Sequence, residues 1–220
     1  MKDMIHSMAG GHRIAFILVS IILLNVIYPF SETGTIAALL FVVLYLVLTG
    51  SSIYLVSSDR SLVIVTVLLT VGIAVTGGIT IVSDFASPLW IQLLWDAFLF
   101  IQLVLIITLL VVFIIQSRVV TVEVLSAAIA IYFLMAGLFT LAYFTIESLT
   151  PGAFVSSSGA EITWQRLNYF SLVTISTLGY GDIVPIAPAA QSLSAMEASL
   201  GTLYIAILIG RFVSLYRGEG

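Results

Sequence analysis

The chain has 220 residues, of which 61% are hydrophobic and 8% charged, and its mean hydropathy is +1.24. This composition excludes an ordinary water-soluble domain and indicates an integral membrane protein. The net charge is −4, and the seven basic residues form no cluster, so nucleic acid is not an expected partner. Cysteine is absent and both histidines lie in the N-terminal tail, which excludes thiolate metal sites and a histidine base within the membrane.

Six apolar segments follow one another along the chain. Each is about as long as the roughly 20 helical residues that cross a bilayer. They run from Ile14 to Phe30, Thr35 to Val56, Ser61 to Val82, Leu89 to Gln116, Val122 to Leu149 and Ala189 to Tyr216. The sequence therefore predicts an all-α membrane protein with six transmembrane helices, whose termini lie on the same side.

The basic residues predict which side that is. If the N-terminus is cytoplasmic, six of the seven basic residues fall on the cytoplasmic side and only Arg166 falls outside. The first apolar segment continues into Tyr28-Pro29-Phe30 instead of a small-residue cleavage site, so it is expected to remain as a helix. Both termini are therefore expected in the cytoplasm.

The segment between the fifth and sixth helices changes character. Residues 156–159 are small and polar and indicate an exposed loop. The stretch from Thr163 to Ser176 predicts a helix of about 21 Å, too short to cross and suited to re-entry. Residues 177–182 follow, with alternate glycines that permit backbone angles at which successive carbonyls face one axis. Non-helical backbone at this depth borders protein or water, so the segment predicts a pore.

The residues Thr177-Leu178-Gly179-Tyr180-Gly181-Asp182, preceded by Thr174-Ile175-Ser176, resemble the signature filter of the tetrameric potassium channels, with Leu in place of the commoner Val. The resemblance is specific from about Tyr169 to Arg211, and the whole layout is most like the small bacterial six-helix potassium channel proteins. It implies a re-entrant pore helix and a selectivity filter between helices five and six. It also implies a homotetramer in a bacterial inner membrane, with lipid around it and no soluble partner, K+ ions in the filter and no organic cofactor.

The resemblance assigns a role to individual residues. The carbonyls of four residues, with the Thr177 hydroxyl, would bind K+: Thr177, Leu178, Gly179 and Tyr180. Gly181 and Asp182 would complete the filter toward the outer mouth. Tyr180 would point away from the ion path toward pore-helix aromatics. The candidates for filter support are Tyr169, Phe170, Thr174 and Ser176. Gly201 stands 24 residues after Thr177, at the family's hinge spacing, with close helix packing as the alternative.

The resemblance also divides the chain into a four-helix transmembrane domain, residues 1–117, and a pore domain, residues 118–220. The first domain occupies the position of a voltage sensor. A voltage-sensing fourth helix needs a basic residue at every third position, because gating requires several charges to move through the field. The segment Leu89 to Gln116 contains Asp96 and no basic residue. The sequence therefore predicts a channel without intrinsic voltage gating of this type.

Two acids, Asp96 and Glu197, lie well inside predicted helices, where a charge costs a few kcal/mol unless it is paired, protonated or hydrated. Each is a candidate proton sensor, gating sensor or cation site. The alternative is a hydrogen-bonded acid that holds helices in register, with Glu197 bracing the pore helix from behind.

The expected function is that of a channel subunit, not an enzyme, which conducts K+ passively through a tetrameric pore. A weakly selective cation channel and a non-conducting regulatory subunit are the alternatives within the same fold. A secondary transporter is less well supported, because transporters usually carry two interrupted helices in matching repeats, whereas this sequence has one re-entrant segment.

Overall fold

The computed structural model describes residues 12–32, 35–56, 59–82 and 88–217, and these are predominantly helical. The elements follow in chain order: α1 (His12–Ile27), a 3-10 turn (Tyr28–Glu32), α2 (Thr35–Leu55), α3 (Arg60–Val82), α4 (Leu89–Gln116), α5 (Val122–Leu149), β1 (Phe154–Ser156), α6 (Trp164–Ile175), β2 (Ile183–Pro185) and α7 (Pro188–Arg217). Each of the predicted apolar segments is thus helical, and so is the predicted short helix.

Several of these helices can span a membrane. Within the described ranges, five segments are long and apolar enough to do so: Ile14–Ser31, Arg60–Thr80, Leu89–Gln116, Val122–Leu149 and Pro188–Leu215. Helix α2 has 21 residues, with a shorter apolar stretch, Val43–Ile53, in the part searched. The chain is an integral membrane protein.

The residues pack into two compact units. The first contains α1 to α4 and the start of α5 as far as Ile131, and the second contains residues 118–120 together with the chain from Tyr132 onward. The candidate filter lies wholly in the second unit.

In the first unit, aromatic side chains of α4 pack against glycines of α3. A Cβ on Gly77 would lie 3.0 Å from the indole nitrogen of Trp95, and one on Gly72 would lie 3.0 Å from the ring of Phe98. Lipid tails are as apolar as the helix surfaces, so helices associate in membranes largely through such close packing at small residues. Steric fit therefore pairs α3 with α4.

Adjacent glycines of α3 provide a matched test of this packing. Gly77→Val is expected to lower the thermal midpoint of the purified protein in detergent, because the added methyl groups meet Trp95; overpacking of this kind costs about 1–3 kcal/mol. Gly78→Val is the control, since a Cβ there meets nothing within 4 Å. Equal midpoints for the two variants would contradict the packing.

The second unit is organised around the short helix α6. Its core contains three aromatic rings, those of Tyr143, Phe154 and Phe170, whose centroids lie 5.2–5.4 Å apart in edge-to-face pairs. Helices α6 and α7 pack against each other. This packing fixes the segment that leaves the end of α6.

A small antiparallel ribbon of β1 and β2 corrects the purely helical prediction for this region. Phe154 pairs with Pro185, and Ser156 pairs with Ile183. Ser156 is 8% exposed, so the stretch predicted as an exposed loop begins inside the ribbon. Strands of three residues are too short to show a sequence period, which is why the ribbon could not be predicted.

Candidate functional site: the filter segment

The filter segment, residues 177–182, begins where α6 ends. The amide of Thr177 donates to the carbonyl of Thr174 at 2.9 Å, and the amides of Leu178 and Gly179 donate to the carbonyl of Val173 at 3.0 and 3.3 Å. These bonds satisfy carbonyls that a helix leaves unpaired at its C-terminus. They also turn the amides of the segment toward α6 and away from its open side.

The backbone of the filter segment alternates between two conformations. Thr177, Gly179 and Gly181 have φ values of 58°, 55° and 75°, whereas Leu178 and Tyr180 do not have positive φ. Thr177 is the one non-glycine residue with positive φ in the described ranges. A non-glycine residue held in this region costs about 1–3 kcal/mol, and such strain is concentrated at functional sites.

The alternation at residues 177, 179 and 181 is the conformation that the alternate glycines predicted. Reversing the sense of every second residue brings successive peptide carbonyls toward one side, whereas an ordinary strand alternates them. Within the described part of the chain, no donor hydrogen bonds to the carbonyl oxygens of residues 177–181. The filter segment therefore offers a row of unpaired carbonyl oxygens on an exposed edge.

Helix α6 adds a favourable field at the N-terminal end of this row. Its last turn ends at Ile175, with Ser176 as the C-terminal cap, next to the first filter residue. A helix C-terminus carries the equivalent of about half a negative charge. The site thus combines a helix dipole and carbonyl oxygens, both of which favour a cation.

The C-terminal end of the filter segment is tied to the loop that precedes α6. The Asp182 carbonyl accepts from the amide of Ser157 at 2.8 Å, and Asp182 Oδ1 accepts from the amide of Ile183 at 3.1 Å. The Ile186 amide donates to the Ala153 carbonyl at 2.7 Å. Asp182 therefore holds the end of the segment next to Ser157, the residue that follows β1.

Glu147, at the end of α5, fixes the same loop and was not among the predicted site residues. Its Oε1 accepts from the amide of Gly152 at 2.8 Å, and its Oε2 accepts from the amide of Phe154 at 3.0 Å. An acid just before the Thr-Pro-Gly turn is the signal that could have identified it. Both carboxylate oxygens thus serve the turn that leads into β1.

Glu147→Ala is expected to loosen this turn, since it leaves two amides without their acceptor. Losing hydrogen bonds to a charged group costs about 1.5–3 kcal/mol each, and less where water replaces them. The measurement is the rate of limited proteolysis between residues 150 and 162. Glu161→Ala removes an exposed acid of the same outer segment and is the control; equal rates in both variants would contradict the role of Glu147.

The predicted filter-support residues lie around α6, but not all contact the filter. Phe170 is 7% exposed and packs on Tyr143 and Phe154, and Tyr169 packs at the edge of the same cluster. Tyr180 is 65% exposed in the single chain. The expected packing of Tyr180 against Tyr169 and Phe170 is therefore not formed by buried contacts within one chain.

The other two support candidates act at the end of α6. Thr174 provides the carbonyl for the Thr177 amide, and the Ser176 hydroxyl donates to the Leu172 carbonyl at 2.7 Å. Both therefore shape the backbone from which the filter segment departs.

Glu197 is completely buried behind α6. Its Oε2 accepts from the Tyr143 hydroxyl at 2.5 Å, and its Oε1 contacts the Ser171 hydroxyl. Ser171 also donates to the Ala136 carbonyl at 2.8 Å. The three helices α5, α6 and α7 thus meet at one carboxyl group, which is the arrangement of the bracing alternative. The sequence did not predict Tyr143 and Ser171 as partners of Glu197, because spacing along the chain does not reveal partners on other helices.

Gly201 lies one turn beyond Glu197 on α7, against Ile175 at the end of α6. A Cβ there would lie 2.3 Å from the carbonyl oxygen of Ile175 and 2.7 Å from its side chain. Real Cβ atoms do not come so near to backbone. The structure thus gives Gly201 the close-packing role, and the hinge stays a prediction.

Asp96 belongs to the first unit and is 8% exposed. On the same helix, Gln102 is completely buried and donates to the Ser52 hydroxyl at 2.5 Å, while that hydroxyl contacts the Thr49 carbonyl. The buried position of Asp96 suits a hydrogen-bonded acid, and its sensor role stays a prediction.

Comparison with known proteins finds similarity within the second unit. The profile of the family described as "Ion channel" matches residues 143–217, about a third of the chain. The chain is 40% identical over 85 residues to two pore potassium channel c of Oryza sativa subsp. japonica, covering 37% of this chain and 19% of the relative. It is 35% identical over 81 residues to the inward rectifier potassium channel Kirbac3.1 of Paramagnetospirillum magnetotacticum, covering 35% and 24%.

A third relative, the potassium voltage-gated channel protein shk-1 of Caenorhabditis elegans, is 40% identical over 55 residues, covering 23% of this chain and 10% of the relative. The chain thus spans less than a quarter of the length of each of these relatives. No solved structure matches the chain with significance. The matched segment contains residues 177–182, Glu197 and Gly201, and over this part the chain is similar to the family described as "Ion channel" and to potassium channels.

Proposed function

We propose that the chain is one subunit of a potassium-selective channel, in which four copies surround a pore lined by the filter segment. The observation that carries the proposal is the alternation of positive φ at Thr177, Gly179 and Gly181 beside unpaired carbonyl oxygens. Carbonyl oxygens replace the hydration shell of K+ in filters of this kind. The names of the relatives support K+ as the conducted ion.

The ion ligands in this proposal are the carbonyls of Thr177, Leu178, Gly179 and Tyr180, with the Thr177 hydroxyl at the inner end. A backbone carbonyl in a membrane needs a partner, because an unsatisfied polar group there costs several kcal/mol. An ion or water on the pore axis supplies that partner. Asp182 at the outer end adds negative charge at the mouth.

The assembly follows from the incompleteness of a single chain. One chain supplies oxygens from one side only, and a dehydrated ion needs oxygens all around it. Leu178 and Tyr180 are 55% and 65% exposed in the single chain, which leaves them free to pack against a neighbouring copy. On this proposal the Tyr180 ring contacts pore-helix aromatics of the next subunit.

The gating part of the proposal rests on helix α4. Its residues include no Arg or Lys, so it lacks the charges that a voltage sensor moves. The channel is therefore proposed to open without intrinsic voltage gating. Both termini are proposed to face the cytoplasm, as the distribution of basic residues predicts. A bacterial membrane is proposed from the resemblance to small bacterial channel proteins.

The test is ion flux through the purified full chain in liposomes, with K+ and Na+ gradients compared in the same preparation. The expected result is rapid K+ flux and little Na+ flux. Equal flux of both ions would replace the proposal with a weakly selective cation channel. Absence of flux from correctly assembled tetramers would favour a non-conducting subunit.

A further inference from the structure

Three oxygen-to-oxygen contacts behind α6 form one continuous chain. The Tyr143 hydroxyl lies 2.5 Å from Glu197 Oε2, Glu197 Oε1 contacts Ser171 Oγ, and Ser171 Oγ lies 2.8 Å from the carbonyl oxygen of Ala136. Glu197 and Ser171 are both completely buried, so water does not reach these contacts from outside the chain. Each of the three contacts needs its own hydrogen, because two bare oxygens at this distance repel each other.

The hydroxyl groups supply only two of those hydrogens. Tyr143 and Ser171 each carry one, and the Ala136 carbonyl carries none. The third hydrogen must therefore come from Glu197. With it, Tyr143 donates to Glu197 Oε2, the protonated Oε1 donates to Ser171, and Ser171 donates to the Ala136 carbonyl. An ionised Glu197 would leave one of the three contacts as a pair of acceptors.

The surroundings of Glu197 agree with a neutral acid. Through its carboxyl group it hydrogen bonds to two hydroxyls and, within the described residues, to no basic side chain. The titratable groups that face it are Tyr143 and Tyr132, both from α5, while α6 presents the uncharged Ser171. An isolated carboxylate inside a membrane protein costs several kcal/mol in desolvation. Neutrality removes that cost.

We infer that Glu197 is a neutral carboxylic acid whose proton completes the hydrogen-bond chain from Tyr143 to Ala136, and that this chain makes Glu197 a positioning residue for the filter segment. The inference rests on the proposed function for its second half. Glu197 holds Ser171, and Gly201 one turn later touches Ile175, one turn after Ser171. Helix α7 therefore holds α6 at two successive turns, the second of which ends two residues before Thr177.

The neutral acid is tested by infrared spectroscopy of the purified full chain near neutral pH, without any measurement of flux. The wild type is expected to show the carbonyl stretch of a protonated carboxyl group that is absent from Glu197→Gln. In Tyr143→Phe the same band is expected at higher frequency, because Oε2 no longer accepts a hydrogen bond. If no band distinguishes the wild type from Glu197→Gln, the neutral acid is overturned.

The positioning role is tested by K+ and Na+ flux of Glu197→Gln and Glu197→Ala in liposomes. A Gln amide reproduces the neutral acid, since its oxygen accepts from Tyr143 and its nitrogen donates to Ser171. Glu197→Gln is expected to retain the wild-type preference for K+, and Glu197→Ala to lose most of it.

Equal loss in both variants, or equal retention, would overturn the positioning role. If Glu197→Ala does not assemble, Ser171→Ala takes its place, since it removes the acceptor for the Glu197 proton and is expected to weaken selectivity. A wild type that passes both ions equally would end the proposed function, while the infrared result would still decide the protonation of Glu197.

Discussion

Gly179→Ala is expected to abolish the preference for K+ over Na+ in liposome flux. Gly179 has a φ of 55°, and a Cβ at that position would meet nothing within 4 Å in the single chain. The effect of the substitution is thus conformational: an alanine in the left-handed region costs about 1–2 kcal/mol per residue. In a tetramer the cost falls on all four chains at once, and relaxing it turns the Gly179 carbonyl away from the axis.

Gly159→Ala is the matched control for this experiment. Gly159 has a φ of 69°, is exposed in the loop before α6 and also has no neighbour within 4 Å of a Cβ. It therefore carries a similar backbone penalty outside the filter segment. We expect Gly159→Ala to keep its selectivity with a small loss of stability. Loss of selectivity in both variants would mean that general destabilisation, and not carbonyl direction, explains the effect of Gly179→Ala.

Gly201→Ala is expected to prevent normal assembly of the second unit. The added Cβ would lie 2.3 Å from a backbone carbonyl oxygen, which cannot rotate away as the end of a flexible side chain can. Relief requires α7 to move from α6, and overpacking of a core costs about 1–3 kcal/mol or more. The measurement is the yield and thermal midpoint of the assembled protein, followed by flux of whatever material assembles.

Gly210→Ala on the same helix is the control, since a Cβ at Gly210 meets nothing within 4 Å. It should match the wild type in yield and in thermal midpoint. If Gly201 were a hinge without close packing, the Gly201→Ala protein would assemble normally and only the opening of the channel would change. That outcome would contradict the packing role of Gly201 and restore the hinge that its spacing predicts.

Gly179 and Gly201 differ in how much the sequence reveals about their roles. Gly179 is identified by its local pattern, because a left-handed backbone angle is a property of one residue and its neighbours. The close packing of Gly201 depends on Ile175, which lies on another helix and 26 residues earlier in the chain. Its spacing from Thr177 predicted a hinge, with close helix packing as the alternative, but did not reveal which residue it would contact.

The same distinction applies to the polar groups around α6. Glu197 was noticeable as an acid in an apolar segment, and bracing of the pore helix was one of its two interpretations. Its partners Tyr143 and Ser171 are an unremarkable tyrosine and serine in the sequence, and Glu147 is a terminal acid like many others. Hydrogen bonds between helices depend on rotation and register, which apolar composition does not specify.

The sequence by itself determined the membrane character, the approximate bounds of the helices and the glycine-dependent backbone of the segment 177–182, because hydropathy, helix length and glycine alternation are local properties. Only the tertiary structure decided which residues hold that segment. It placed the ribbon of β1 and β2 at the C-terminal end of the segment, Glu197 behind α6, and Gly201 against Ile175. The physical reason is that each of these contacts joins residues distant in the chain, and their distances exist only after the helices have packed.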